Sequence, residues 1–151
     1  MKLKLKPFNI KSNIKIAYLL LNPRTKKDFA YSIPEYIFAK FNEITGKNKN
    51  YRFEILVDEK FVGSIGLVKT KEVNGYEIVY LVLRKFRNKN IASKSVSKIL
   101  KFAFRKLRLK KIYAITNIDN PSSIKVLEKN KFKKIKTDNK NKEIVWSRKL
   151  K

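Results

Sequence analysis

Tyr76-Glu77-Ile78-Val79-Tyr80-Leu81-Val82-Leu83, then the turn Arg84 to Asn90, then a helical pattern from Ile91 to Leu109, decide how this chain folds. The first run reads as a strand. The last is strongly amphipathic: Ala92, Val96, Ile99, Leu100, Ala103, Phe104 and Leu107 recur at helical spacing, while Lys94, Lys98, Lys101, Arg105 and Lys106 face away. Between them lies Phe86-Arg87-Asn88-Lys89-Asn90-Ile91-Ala92, a basic turn between a strand end and a helix start. A helix start offers backbone N–H groups without partners and the positive end of a dipole, so such a turn is a place to bind phosphate. The stretch points to a phosphorylated ligand.

Working outward, Lys2 to Lys6 alternates Lys with Leu as a short strand closed by Pro7. Ser12 is placed to cap a helix carrying Ile14, Ile16, Ala17, Leu20 and Leu21 and ending at Asn22-Pro23. A second helix fits Ser32 to Thr45, with Pro34 in its first turn and Gly46 as its stop, followed by a loop over Lys47 to Asn50. The period then changes to two. Tyr51, Phe53, Ile55 and Val57 alternate with Arg52, Glu54 and Leu56, Asp58 to Lys60 turn the chain, and Phe61 to Val68 return as a hairpin partner. Asn74-Gly75 marks the turn into the third strand of the meander. After the amphipathic helix, Lys111 to Asn117 reads as a strand and Ser122 to Lys129 as a short helix with Pro121 at its first turn. Phe132 to Lys136 and Ile144 to Leu150 close as two strands joined by a polar turn. The order is β-α-α-β-β-β-α-β-α-β-β. The middle β-α-β unit needs a right-handed crossover, which makes strands three and five of this count parallel neighbours.

Composition narrows the chemistry. The 151 residues fit one domain, spanning 1–151, and 43% hydrophobic content with ten Phe, seven Tyr and one Trp calls for a packed core. The absence of Cys removes thiolate chemistry, and the absence of His removes the commonest base and metal ligand, so no metal site is expected. No apolar run has the length of a membrane span, the first residues do not form a signal core, and the reading is cytoplasmic with no membrane partner. The net charge of +26 favours anionic ligands. Its lysines are spread over every segment, and Lys, Asn and Ile abound while Gly, Ala and Arg are scarce. That is the pattern codon bias in an AT-rich genome produces, so most of the charge is background.

The order of elements and two motifs resemble the GNAT superfamily of N-acetyltransferases, most of all its branch of ribosomal-protein and small-molecule amine acetyltransferases. The family signature is Gln or Arg, two residues, Gly, one residue, then Gly or Ala. Here it reads Arg87-Asn88-Lys89-Asn90-Ile91-Ala92, with Arg87 and Ala92 matching and Asn90 where Gly is usual. The second element is an Asn followed three residues later by Ser or Ala, opening a short helix before a Phe: Asn120-Pro121-Ser122-Ser123, then Val126-Leu127-Glu128-Lys129 and Phe132. Asn88, Asn90 and Lys131 each replace a usual Gly, and Asn is the residue that best tolerates positive φ after Gly. Asn130, just before Lys131, is placed to take the left-handed cap. The resemblance implies an α/β (α+β) fold with a mixed, mostly antiparallel central sheet of about six to seven strands, about four flanking helices and a central parallel β-α-β unit.

It also implies acetyl-CoA as co-substrate, with no metal, in a monomer or homodimer. Arg87 to Ser93, that is Arg87, Asn88, Lys89, Asn90, Ile91, Ala92 and Ser93, would cradle the pyrophosphate. The strand end Leu81, Val82 and Leu83 would hold the pantetheine arm, through the N–H groups of Leu81 and Leu83. Asn120 would bond the pantetheine amides while capping its helix, with Ser123 beside it at the helix start. An alkylamine has a pKa near ~10, so a base helps at neutral pH. Glu77 matches the place of the family's base, and equally fits an outward polar residue in an alternating strand. Many relatives carry a proton-donating Tyr where Leu127 stands. Tyr80 and Tyr113 are the nearest tyrosines by sequence, both also suited to core packing. Tyr80 joins Glu77 as a candidate catalytic residue, with water as the other proton source. Two functions follow. The first is acetyl transfer to the primary amine of a protein N-terminus or of a small molecule such as an amino-sugar or amine metabolite. The second, motivated by the missing glycines and tyrosine, is a catalytically impaired basic protein that binds RNA or the ribosome; no RNA-binding motif supports it, so nucleic acid is not favoured.

Overall fold

The computed structural model describes residues 1–24, 50–70 and 75–150. The helix expected over Ser32 to Thr45 and the loop after it, up to residue 49, lie outside the described residues, as does the Asn74 half of the expected turn. The chain runs β1 (Leu3–Pro7), α1 (Ile10–Leu21), β2 (Tyr51–Val57), β3 (Lys60–Thr70), β4 (Gly75–Val82), a 3-10 turn (Arg84–Phe86), α2 (Ile91–Arg105), β5 (Lys111–Asn117), α3 (Pro121–Lys129), β6 (Lys133–Asp138) and β7 (Glu143–Lys149). The strands form one mixed sheet in the order β1-β2-β3-β4-β5-β7-β6. Every neighbouring pair is antiparallel except β4 and β5. The parallel pair is therefore the fourth and fifth strands, not the third and fifth. The crossover helix joins consecutive strands, and β3 is antiparallel to both β2 and β4.

Local signals set the element ends, with three corrections. Asn9, not Ser12, caps α1: the Asn9 side chain accepts from Ser12 N at 3.0 Å and Ser12 Oγ accepts from Asn9 N at 3.1 Å, a reciprocal capping box. The amphipathic helix ends at Arg105, not Leu109. Arg108 turns left-handed at φ 53 and Leu109 N bonds back to Ala103 O at 3.1 Å, a Schellman-type closure that no glycine announces. The left-handed cap after α3 falls on Lys131 (φ 63), while Asn130 keeps φ −90. The β2–β3 hairpin turns through Asp58 and Glu59, both at positive φ.

The sheet separates two apolar layers. On one face, Ile55, Ile65, Leu67, Ile78 and Val82 pack under α2 and α3 against Val96, Ile99, Ala103 and Leu127, with Trp146 closing the β5–β7 side. Trp146 Nε1 donates to Thr116 Oγ1 at 2.9 Å, which satisfies both buried groups. On the other face, Ile16 and Leu20 of α1 pack with Phe61 and Leu81. Arg52, Glu54 and Leu56, which the alternation assigns to an outer face, share this second face. Glu54 is buried there.

Candidate active site

β4 is paired along its whole length with β3, from Gly75 with Thr70 to Val82 with Gly63. Its ladder to β5 contains one rung, Glu77 with Tyr113. Beyond Glu77 the two strands part. Antiparallel pairs alternate between those that exchange hydrogen bonds and those whose N–H and C=O groups point outward. Leu83 N donates to Val62 O at 3.0 Å. Leu83 and, two residues earlier, Leu81 therefore face β3, and Tyr80 and Val82 present their N–H groups to the gap. This corrects the expectation that Leu81 and Leu83 supply the open donors. The open N–H groups lie at the same strand end with the opposite residue parity.

The turn sits at the mouth of this gap. Arg87 Nε donates to Val82 O at 2.9 Å, folding the side chain back over the strand end. Asn88 (φ 61) and Asn90 (φ 57) both adopt the left-handed conformation that glycine usually supplies. Asn90 is the N-cap of α2 yet makes no side-chain cap bond; its Oδ1 instead accepts from Lys129 Nζ at 3.1 Å. The first-turn N–H groups of Ile91, Ala92 and Ser93 consequently have no capping side chain. The turn leading into them carries Arg84, Lys85, Arg87 and Lys89 and no acid. An uncapped helix start in a positive loop fits an anion carrying several oxygens.

α3 closes the far side. Asn120 Oδ1 accepts from Ser123 N at 3.1 Å, so the Asn caps the helix. Ser123 Oγ meets the Tyr80 hydroxyl at 2.7 Å. The Tyr80 side chain thus reaches from β4 to the first turn of α3, spanning the gap on the α2 face. Burial pushes its phenol above the usual tyrosine range, with the Ser123 bond pulling the other way. Tyr113, on the opposite face, lies under Lys111 Nζ at 4.6 Å and stays apart from α3. Leu127, where the resemblance implies a proton-donating tyrosine, is fully buried. Glu77 is half-buried at the last rung of the ladder. Its odd offset from Tyr80 puts the two side chains on opposite faces of β4. The structure thereby brings together Tyr80, Val82, Arg87 to Ser93, Asn120 and Ser123 around the gap, and sets Glu77 on its α1 side. Among the described residues no three Asp, Glu, Cys or His side chains gather as a metal site. None of the described helices is long and apolar enough to cross a membrane.

Sequence reasoning missed Glu54. The signal was present: Leu56, Phe61 and Leu81 share its face, and that many apolar side chains require a cover.

Comparison with known proteins places the fold and the family. Residues 8–133 match the model of the acetyltransferase (GNAT) domain. An uncharacterized N-acetyltransferase p20 of Bacillus licheniformis is 30% identical over 120 residues, 78% of this chain; the match spans 65% of that relative's length. Among solved structures, the ribosomal L7/L12 alpha-N-protein acetyltransferase RimL in complex with coenzyme A superposes with a TM-score of 0.78 at 14% identity, covering 99% of this chain and 95% of its own. A chimera of the Vibrio cholerae spermidine N-acetyltransferase SpeG gives 0.75 at 16%, covering 99% and 96%. The Campylobacter jejuni N-acetyltransferase PseH with acetyl coenzyme A gives 0.69 at 18%, covering 99% and 100%. An interrupted parallel pair with a basic, left-handed turn at its mouth, found within a domain match over most of the chain, leads to one conclusion: the chain belongs to the GNAT acetyltransferase family.

Proposed function

We propose that this protein transfers an acetyl group from acetyl-CoA to the primary amine of a protein N-terminus or a small molecule. The observation that carries the reading is the gap between β4 and β5, with the Tyr80 and Val82 N–H groups aimed into it at the foot of an uncapped helix. When bound, acetyl-CoA supplies the activated acetyl group. The N–H groups of Ile91, Ala92 and Ser93, with Arg87 and Lys89, hold its pyrophosphate. Asn88 and Asn90 shape the loop so that backbone, not side chain, faces the anion. Val82 N–H and Asn120 orient the amide-bearing arm, Leu81 and Leu83 pin β4 to β3, and Tyr80 N–H polarises the thioester carbonyl. Glu77 takes a proton from the incoming ammonium on the α1 face, and the Tyr80 phenol, held by Ser123, returns one to the leaving sulfur on the other face.

The alternative, an impaired RNA- or ribosome-binding relative, draws on the missing glycines. Both asparagines nevertheless adopt the glycine-like conformation, so the turn forms and transfer ranks first. Thermal denaturation tests the reading. Acetyl-CoA at millimolar concentration raises the melting temperature, Arg87→Glu shrinks that rise, and an acceptor screen detects free thiol. No shift in the wild-type protein refutes it. RNA binding with a steep salt dependence in its place supports the alternative.

A further inference from the structure

One side chain fastens the end of α3 to the start of α2. Asn130 is the C-cap of α3, and its Nδ2 donates to Val126 O at 2.9 Å, to Ser93 Oγ at 3.1 Å and to Ser93 O at 3.3 Å. An amide nitrogen has two protons. One serves the Val126 carbonyl of its own helix, and the other is shared between the two oxygens of Ser93. Two of the three acceptors are carbonyls, so only a donor fits there and the amide orientation is fixed.

Closing α3 does not need the bonds to Ser93. Backbone groups already finish this helix: Asn130 N donates to Val126 O and Leu127 O, and Lys131, at φ 63, lets Phe132 N return to Leu127 O. The Ser93 bonds are additional, and they join residues 37 apart in sequence. Ser93 is the third residue of α2 and is 8% exposed. Its N–H belongs to the first turn that lacks a capping side chain. A helix start left uncapped for a ligand is also a start prone to fray. Asn130 grips that turn from behind, by the Ser93 carbonyl and hydroxyl, and leaves the N–H groups unoccupied. The neighbouring link from Lys129 Nζ to Asn90 Oδ1 is exposed and holds a side chain, not the helix backbone.

We propose that Asn130 is a positioning residue for the phosphate end of the ligand. It supplies from α3 the rigidity that a cap would supply, without covering the N–H groups of Ile91, Ala92 and Ser93. A turn already ordered pays little ordering cost when the anion arrives. The proposal rests on the acetyl-CoA reading, and Asn130 acts through Ser93, touching no ligand atom itself.

Amide NMR titrations of the full chain with coenzyme A, and with pantetheine, which carries the arm without the phosphates, test it. Asn130→Leu matches the amide in size and donates nothing. Asn130→Ala adds no bulk and serves as the second variant should leucine not fit. Both bind coenzyme A about fivefold to tenfold more weakly than wild type, and pantetheine within about twofold of it. Equal weakening of the two ligands marks a contact that merely holds α3 on α2, and overturns the proposal. Asn9→Ala, which breaks the cap of α1 on the other face of the sheet, is the control for lost stability and changes neither affinity. A coenzyme A loss of the same size in that control overturns the proposal too. Wild type that binds neither ligand refutes the acetyl-CoA reading. Coenzyme A binding that is unchanged in the Asn130 variants sinks this proposal alone.

Discussion

Gly63 stands opposite Val82 at the foot of the gap. A Cβ added there would overlap the Leu81 carbonyl oxygen and lie 3.1 Å from both the Leu81 carbonyl carbon and Val82 Cα. All three are backbone atoms, so Gly63→Ala is relieved only by moving β4 away from β3. That movement strains the pairs on either side, Leu81 with Ser64 and Leu83 with Val62. Two or three weakened backbone bonds, at about 1 kcal/mol each, predict a loss of about 2–3 kcal/mol. In a chain of 151 residues this lowers the melting temperature by roughly 5–10 °C. The displaced N–H groups of Tyr80 and Val82 should also cut the stabilisation by acetyl-CoA by roughly half or more. Circular-dichroism melts with and without the ligand measure both effects. A melting temperature within about 1 °C of wild type, with the ligand shift intact, would refute the claim that this close approach holds β4 in position.

Asn90→Gly keeps the left-handed turn without a side chain near the anion and gives up only an exposed bond to Lys129. Acetyl-CoA should bind roughly twofold to fivefold more tightly by calorimetry, and weaker binding contradicts the placement of the loop. Tyr80→Phe should lower turnover while leaving the acetyl-CoA melting shift unchanged. Burial raises the Tyr80 pKa above its ordinary 10.0, so the stability this phenol contributes is complete below pH 10 and fades as pH climbs through the raised value. The variant should accordingly lose less stability than wild type in alkaline melts, and parallel losses would count against that burial. Asn9→Ala breaks the α1 capping box and should cost about 1 kcal/mol, roughly 2–4 °C in melting temperature.

Much of this architecture was legible because local chemistry and global fold agree. The period change at Tyr51 and the α2 stripe each named an element, and the paired asparagine motifs marked the loop proposed to hold the ligand. Other features are set by partners distant in sequence. The parity of the open N–H groups depends on which β3 residue faces Leu83, and no pattern within β4 encodes it. The Tyr80–Ser123 bond joins residues 43 apart. Arg108 and Lys131 take left-handed conformations that their side chains do not favour, imposed by helix closure. Glu54 sat on the polar side of an alternating strand and became buried because α1 covers that side too.

The single rung between Glu77 and Tyr113 divides the sheet into two sets of strands, β1 to β4 and β5, β7 and β6, stitched by backbone at one point. Amide exchange along β4 should therefore alternate, with Leu81 and Leu83 protected and Tyr80 and Val82 open to solvent deuterium. A ligand lodged in the seam acts as the missing strand. Within β4 it would slow exchange at the even-numbered pair alone, a footprint that reports occupancy without any turnover.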